Sequence, residues 1–229
     1  MTTGLEFEPL SHSYAWDGKV VPSVTAIMSP LVSYYRVPSE RLRLAAERGT
    51  AVHALTEAWD KAEYQDHFDT FHMEHGGFLQ AWIRFREDYD FTPTHIEERV
   101  YHPLHEYAGT ADRFGVVKGH LAVVDIKTTD RLGPAVGVQL AAYQHAANCD
   151  RLPRAQLEHR YAVQLCEDGT YKVKQYKSAH DWSAFLGCLA LWHWQRETHG
   201  SQKGEIRLLP LAPDSNLVHA SNDPRPLYG

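Results

Sequence analysis

The sequence predicts one α/β domain in which helices lie against a β-sheet. The chain has 229 residues, 43% of them hydrophobic, which is enough to bury a full core. Two β-rich stretches, residues 109–117 and 120–128, are separated by the turn signal Lys118-Gly119. A helical stretch follows at residues 135–148. This succession of strand and helix patterns is typical of α/β and α+β folds.

The other elements follow from turn, capping and periodicity signals along the chain. A hairpin is expected at residues 12–22, and a short helix begins after Ser23, which is a good N-terminal cap. The remaining helices are expected at about 39–47, 50–63, 75–90 and 180–198. The remaining strands are expected at 95–102, 157–166 and 170–177.

Residues 1–199 are assigned to one domain with an N-terminal hairpin. Residues 200–229 are assigned to a mostly irregular tail, because this segment has four prolines and no periodicity. No apolar run approaches the roughly 20 residues that a membrane span requires, so no membrane partner is expected. The segment through Glu8 has acidic residues where a targeting peptide needs basic ones, so we expect an untargeted cytoplasmic protein.

Two aspartates of the central hairpin are expected to face each other. If Lys118-Gly119 forms a two-residue turn, Val117 pairs with His120, and Asp112 comes to lie opposite Asp125. Side chains paired in this way have Cβ atoms about 4.5–5.5 Å apart, and like charges there are destabilising. A divalent cation between the carboxylates would offset the repulsion, and oxygen ligands suit Mg²⁺ or Mn²⁺. A one-residue slip of the register would separate the aspartates.

A lysine accompanies the second aspartate. Lys127 shares the strand face of Asp125, whereas Ile126 points to the other side. Taken alone, an Asp-x-Lys pattern is more typical of an exposed ion pair on an edge strand. Residues 121–124 and Ile126 are apolar on both faces, which is typical of a central strand instead. Charged groups at the end of such a strand indicate a function.

The helix after the hairpin completes a recognisable pattern. The sequence here resembles the RecB-like branch of the PD-(D/E)XK nuclease superfamily, whose motifs are an acid after a glycine, then Asp-x-Lys, then Gln-xxx-Tyr. The matching segments are Gly109-Thr-Ala-Asp112, Asp125-Ile-Lys127 and Gln139-xxx-Tyr143. The resemblance implies a restriction-endonuclease-like core, with a central mixed β-sheet flanked by helices.

Motifs earlier in the chain extend the resemblance. Arg48-Gly-Thr-Ala-Val-His53 is similar to the first helical motif of the family, whose histidine helps to hold the metal. Glu98 is similar to its first acidic strand position, although Glu97 beside it leaves that position ambiguous by one residue. The segment from His12 to Thr25 resembles the start of mitochondrial genome maintenance exonucleases and related phage exonucleases. Ala111 stands where the superfamily name has proline.

The resemblance implies a Mg²⁺- or Mn²⁺-dependent exonuclease that hydrolyses single- or double-stranded DNA ends in recombination, repair or replication. It also implies a single-strand annealing or binding protein as a partner. The catalytic residues that it implies are Asp112, Asp125, Lys127, Gln139 and Glu98. The implied metal ligands are His53, Asp112, Asp125, the carbonyl of Ile126, and Glu98. The implied DNA contacts are Tyr143, Ser23, Arg48 and Arg131.

Other observations leave alternatives open. The net charge of −6 argues against a simple basic DNA-binding domain, although basic residues cluster locally at 41–48 and 172–177. The three cysteines indicate no zinc site or disulfide framework and are too few for the four-cysteine iron–sulfur clusters of some relatives. An endonuclease or structure-specific nuclease of the same fold, and a non-catalytic nucleic-acid-binding relative, both remain compatible with the motifs.

Overall fold

The structure of the protein, a computed structural model, describes residues 4–9, 11–32, 38–62 and 68–201. The chain divides into two units. The first extends to His193, and the second begins at Trp194. The described part of the second unit is the last segment of one helix. The predicted irregular tail lies outside the described residues from residue 202 onward, so it stays a prediction.

The described residues form eight strands and five α-helices. The strands are β1 (Leu5–Glu8), β2 (Ser13–Trp16), β3 (Lys19–Val21), β4 (Phe91–His102), β5 (Tyr107–Val117), β6 (His120–Lys127), β7 (His159–Leu165) and β8 (Tyr171–Gln175). The helices are α1 (Val24–Ile27), α2 (Ser39–Asp60), α3 (Phe68–Asp88), α4 (Pro134–Asn148) and α5 (His180–Ser201).

A five-stranded sheet in the order β4-β5-β6-β7-β8 forms the centre of the first unit. Its neighbours are antiparallel except β6 and β7, which are parallel. Apolar residues of α2 and α3 pack on one face, and those of α1, α4 and α5 pack on the other. The predicted central mixed sheet flanked by helices is therefore confirmed, as is the central position of β6.

A second sheet, in the order β1-β2-β3, packs beside β4 and β5. Trp16 stacks on Tyr101 with ring centroids 4.2 Å apart, and the Tyr14 hydroxyl lies 2.8 Å from Thr110 Oγ1. The predicted hairpin at residues 12–22 is confirmed, whereas β1 was not predicted. Ser23 caps α1 as expected, because its Oγ accepts a hydrogen bond of 3.1 Å from the Ala26 amide.

Three predicted boundaries are wrong. Helix α3 begins at Phe68 rather than near residue 75. The helices expected at 39–47 and 50–63 are one continuous helix, α2. Gly49 costs about 1 kcal/mol in a helix interior relative to alanine but leaves the hydrogen bonds intact, and buried Val52 and Leu55 anchor the segment that follows. Strand β4 begins at Phe91 rather than near residue 95, because a bulge between Pro93 and His95 accommodates the proline in this edge strand.

No described helix is long and apolar enough to cross a bilayer.

Three histidines, His102, His105 and His145, lie near one another at the end of β4. We expect them to make the stability of the protein depend on pH. Burial, together with the nearby His105 and His145, lowers the pKa of His102 from 6.5 to about 4. Because the unfolded chain takes up the proton first as the pH falls, stability present above pH 6.5 is lost progressively down to about pH 4.

The test is urea denaturation of wild type and His102→Phe across this range. Phenylalanine retains a ring against Trp182 and Tyr107 but cannot be protonated. We expect wild type to lose stability relative to the variant as the pH falls. A difference in unfolding free energy that stays constant between pH 6.5 and 4 would contradict this assignment.

Candidate metal centre

The turn between β5 and β6 sets the register that brings the acidic residues together. Lys118 and Gly119 both have positive φ angles, 49° and 84°, as a two-residue turn matching the twist of a hairpin requires. Val117 pairs with His120, as predicted, and the ladder continues to Arg113 and Val124. The paired ladder ends there, and Asp112 and Asp125 are the next residues along the two strands, near enough for the Asp112 charge to raise the pKa of Asp125.

An imidazole and two carboxylates converge at this point of the sheet. The ligand atoms of His53, Glu97 and Asp112 all lie within 4.8 Å of one another. His53 Nδ1 lies 3.6 Å from Asp112 Oδ1 and 3.9 Å from Glu97 Oε1. His53 belongs to α2, whereas the two acids belong to neighbouring strands. The cluster therefore forms only when α2 packs on the sheet.

A chain of hydrogen bonds lies next to this cluster. The Lys127 ammonium donates to Asp125 Oδ1 at 2.9 Å and to Gln139 Oε1 at 3.2 Å. Gln139 Nε2 in turn donates to the Tyr143 hydroxyl at 3.1 Å. The i,i+4 spacing of Gln139 and Tyr143 on α4 puts both side chains on the helix face toward β6. Asp125 and Gln139, the latter supported by Tyr143, thus hold the lysine in one position.

Ile126 connects the two groups through its backbone. Its amide donates to Asp112 Oδ2 at 2.6 Å, and its carbonyl lies 3.1 Å from His53 Nε2. Its own side chain is fully buried on the α2 side of the sheet. The carbonyl predicted as a metal ligand is thus within hydrogen-bonding distance of the predicted histidine.

The electrostatics of the site favour positive charge. The Asp112 carboxylate is the main cause that raises the pKa of His53 to about 9, against the opposing effect of burial. Burial also raises the pKa of Asp125, although the Lys127 ammonium acts in the other direction. Asp125 Oδ2 has no hydrogen-bond partner despite being buried, and the Lys127 ammonium lies 2.8 Å from it without hydrogen-bond geometry.

Of the two neighbouring acids on β4, Glu97 belongs to the cluster, whereas Glu98, which we favoured in an assignment ambiguous by one residue, does not. Ile96 pairs with Arg113 and Glu98 with Ala111, so Glu97 lies opposite Asp112. Its φ angle of 49° is in the left-handed region, where few non-glycine residues are found. This irregularity interrupts the regular strand alternation at Glu97, whereas the prediction of Glu98 came from the resemblance to the family motif. Glu98 instead lines a separate cavity of about 220 Å³ with residues at the end of α4.

Arg113 is a site residue that the sequence patterns did not identify. Its guanidinium is completely buried and donates to Glu97 Oε1 at 3.1 Å and to Asp60 Oδ2 at 2.7 Å. Asp60 also accepts from Arg86 at 2.6 Å and from the Trp82 indole at 3.1 Å. This network connects the acid on β4 to α2 and α3. The only signal in the sequence was a charged residue within an apolar strand.

A cavity of about 700 Å³ opens beside the acids. Its lining includes Glu97 and Asp112, together with Ser23 and Tyr143, two of the predicted DNA contacts. Gly109 also lines the cavity. A Cβ atom at this position would lie only 2.7 Å from Cε1 of Tyr143. The glycine of the Gly-Thr-Ala-Asp segment is therefore needed for the close approach of the tyrosine ring.

Replacing Gly109 by alanine is expected to lower the unfolding free energy by about 1–3 kcal/mol, because the buried Tyr143 and Val24 must move. Gly187→Ala in α5 is the matched control, since no atom lies within 4 Å of the added methyl group. Alanine there should raise stability by up to about 1 kcal/mol. Equal effects of the two substitutions in urea denaturation would show that Gly109 is not sterically constrained.

The predicted arginine contacts lie elsewhere. Arg48 donates to the Thr128 carbonyl at 3.1 Å and so anchors α2 at the end of β6. Arg131 is exposed and does not line the cavity beside the acids. In the basic cluster before His53, Arg43 binds Glu40 and Glu47, and Arg41 lies 3.6 Å from Asp130. The positive charge of that cluster is thus largely paired with neighbouring acids.

The residues present fit a divalent cation. Two carboxylates and an imidazole are within reach of one ion. Asp125 lies outside this cluster of three residues, and its buried Oδ2 accepts no hydrogen bond but lies 2.8 Å from the Lys127 ammonium. A donor set dominated by oxygen suits Mg²⁺ or Mn²⁺. The negative charge of Asp112, which raises the pKa of His53, favours a cation at this position.

The sequence matches no protein-family model, and comparison with curated proteins finds no significant match.

Proposed function

We propose that the protein is a metal-dependent nuclease of the RecB-like PD-(D/E)XK type that hydrolyses phosphodiester bonds at DNA ends. The observation that carries this proposal is the fixed Lys127 ammonium beside a cluster of cation-binding side chains. In this proposal the five-stranded sheet and its helices are the nuclease core. His53, Glu97 and Asp112 would hold Mg²⁺ or Mn²⁺, with Asp125 and the Ile126 carbonyl as further ligands.

The bound ion would supply Lewis-acid stabilisation of the phosphate and lower the pKa of a nearby water. Lys127 donates a hydrogen bond to that water and orients it toward phosphorus, opposite the leaving oxygen. Gln139 and Asp125 fix the position of the ammonium, and Tyr143 supports Gln139. As the new phosphorus–oxygen bond forms, the water gives up one proton to solvent, the ester bond breaks, and the leaving oxygen takes up a proton from solvent.

The cavity beside the acids is large enough to admit a nucleotide chain. Hydroxyl groups of Ser23, Thr25 and Thr110 line it and offer hydrogen bonds to phosphate oxygens. Arg99 also lines it, and no other arginine or lysine is among the described lining residues. Recognition through these groups contacts backbone phosphates and is independent of base sequence.

The test is digestion of end-labelled single- and double-stranded oligonucleotides with Mg²⁺ or Mn²⁺. We expect metal-dependent release of nucleotides from ends, which a chelator abolishes. Covalently closed circular DNA should remain intact, and its cleavage would indicate an endonuclease of the same fold. Absence of hydrolysis with every substrate and metal would reject the proposal and favour a binding protein.

Calorimetric titration with Mn²⁺ separates metal binding from catalysis. Asp112→Asn is expected to weaken Mn²⁺ binding at least about tenfold, because an amide is a poorer cation ligand than a carboxylate. Asp130→Asn is the matched control, since that side chain is 85% exposed and away from the cluster. Unchanged affinity in the Asp112 variant would remove this residue from the ligand set.

A further inference from the structure

A second cluster of metal-ligating side chains lies at the other end of the central strand. It consists of His120, at the start of β6, and of Glu158 and His159, at the start of β7. Their ligand atoms all lie within 4.8 Å of one another. His120 Nδ1 is 3.3 Å from Glu158 Oε2, and the two imidazole rings have centroids 4.6 Å apart.

The backbone brings these residues together. The Glu158 amide donates to the Leu121 carbonyl at 2.8 Å, and the parallel ladder begins with the pair Ala122 and His159. The three Cα positions are thus set by the pairing of the two central strands. Metal binding therefore requires only rotation of side chains, with no movement of the main chain.

His159 has a partner of the kind that orients metal-binding histidines. Its Nδ1 lies 3.3 Å from the Tyr161 hydroxyl, which projects from the same strand. In the tautomer that carries its proton on Nδ1, His159 donates a hydrogen bond to that hydroxyl. The lone pair of Nε2 is then available to bind a metal. Ligating histidines in proteins generally have such a partner on the second ring nitrogen.

The donor set determines which metals suit the cluster. Two imidazoles and one carboxylate are a common set for Zn²⁺, and imidazole ligands favour Zn²⁺, Ni²⁺ and Cu²⁺ over Mg²⁺. The candidate metal centre differs, since it offers one imidazole among carboxylates. The side chains of His120 and Glu158 are 56% and 63% exposed, so an ion can enter from solvent and retain water ligands.

We propose that His120, Glu158 and His159 form a separate site for a divalent transition metal of the zinc class. Strand β6 has eight residues, so this site lies about 20 Å from the candidate metal centre at its other end. An ion there joins the starts of the two parallel strands. Because it binds the folded chain, it stabilises the fold, and this role is independent of the proposed nuclease activity.

The experiment is calorimetric titration of the full chain, without a histidine tag, with Zn²⁺ in excess Mg²⁺. The double variant His120→Asn/His159→Asn is expected to bind one zinc ion fewer than wild type. Glu158→Gln should weaken the same binding event at least about tenfold. His193→Asn is the matched control, because that histidine is exposed and outside the cluster, and it should bind zinc as wild type does.

Electron paramagnetic resonance with one equivalent of Cu²⁺ identifies the ligands directly. Wild type should show coupling to the nitrogens of both imidazoles, and the double variant should lose it. The candidate metal centre cannot produce this signal, because His53 is its single imidazole. Equal zinc stoichiometry and affinity in wild type and the double variant, or an unchanged copper spectrum, would overturn the proposal.

Discussion

Replacing Lys127 by methionine is expected to reduce metal-dependent hydrolysis of DNA ends about 10²- to 10³-fold. Methionine fills a similar volume but cannot donate a hydrogen bond to the attacking water or stabilise charge on the phosphate. The ammonium is held by Asp125 at 2.9 Å and by Gln139 at 3.2 Å, so its position next to the acids is fixed. Initial rates on end-labelled oligonucleotides at saturating Mn²⁺ provide the measurement.

The matched control for this prediction is Lys172→Met, because Lys172 is exposed on β8 and remote from the acids. Its rate should equal that of wild type. Since Lys127→Met also removes the partner of the buried Asp125, circular dichroism must show that the variant is folded at the assay temperature. A folded variant that retains near wild-type turnover would eliminate Lys127 from the proposed mechanism.

Asp60→Asn is expected to lower the unfolding free energy by about 3–5 kcal/mol. Asp60 and Arg113 form a salt bridge of 2.7 Å in which both side chains are 0% exposed. The amide cannot neutralise the guanidinium, which would then be a buried charge with Glu97 as its remaining acidic partner. Because folded proteins are stable by only about 5–15 kcal/mol, this is a large effect. Urea denaturation is the measurement.

Glu40→Gln provides the control for burial. Glu40 and Arg43 also form a short ion pair, of 2.6 Å, but their side chains are 66% and 54% exposed. Exposed pairs contribute roughly 0–1 kcal/mol, so this change from acid to amide should hardly alter stability. Similar losses in the two variants would indicate that the buried network around Arg113 does not stabilise the connection between α2 and the sheet.

The β5–β6 hairpin shows which features of the site short-range sequence patterns can predict. A turn with two positive φ angles fixes the register of β5 and β6, so the pairing that ends at Arg113 and Val124, just before Asp112 and Asp125, could be predicted from Lys118-Gly119. The positions of Gln139 and Tyr143 on one helix face follow from helical periodicity. Each of these relations joins residues close in the sequence, or strands joined by a short turn.

Glu97 could not be identified in the same way. Strand alternation assumes regular backbone, and the left-handed conformation of this residue is held by its contact with Arg113 and by the pairing of β4. The burial of the charged Arg113 side chain is explained by its salt bridge with Asp60, which lies 53 positions earlier in the chain. The cluster of His120, Glu158 and His159 likewise depends on the parallel pairing of β6 with β7, which no short turn specifies.

By itself, the amino-acid sequence determined the mixed α/β class, the central strand, the hairpin register and the position of Lys127 beside Asp125. Only the tertiary structure decided which acid of β4 reaches His53, which residues hold that acid, and which histidines meet at the far end of the sheet. The physical reason is that local elements follow from backbone geometry and side-chain periodicity over a few residues. Contacts between distant segments depend on helix packing and strand irregularities that such periodicity does not specify.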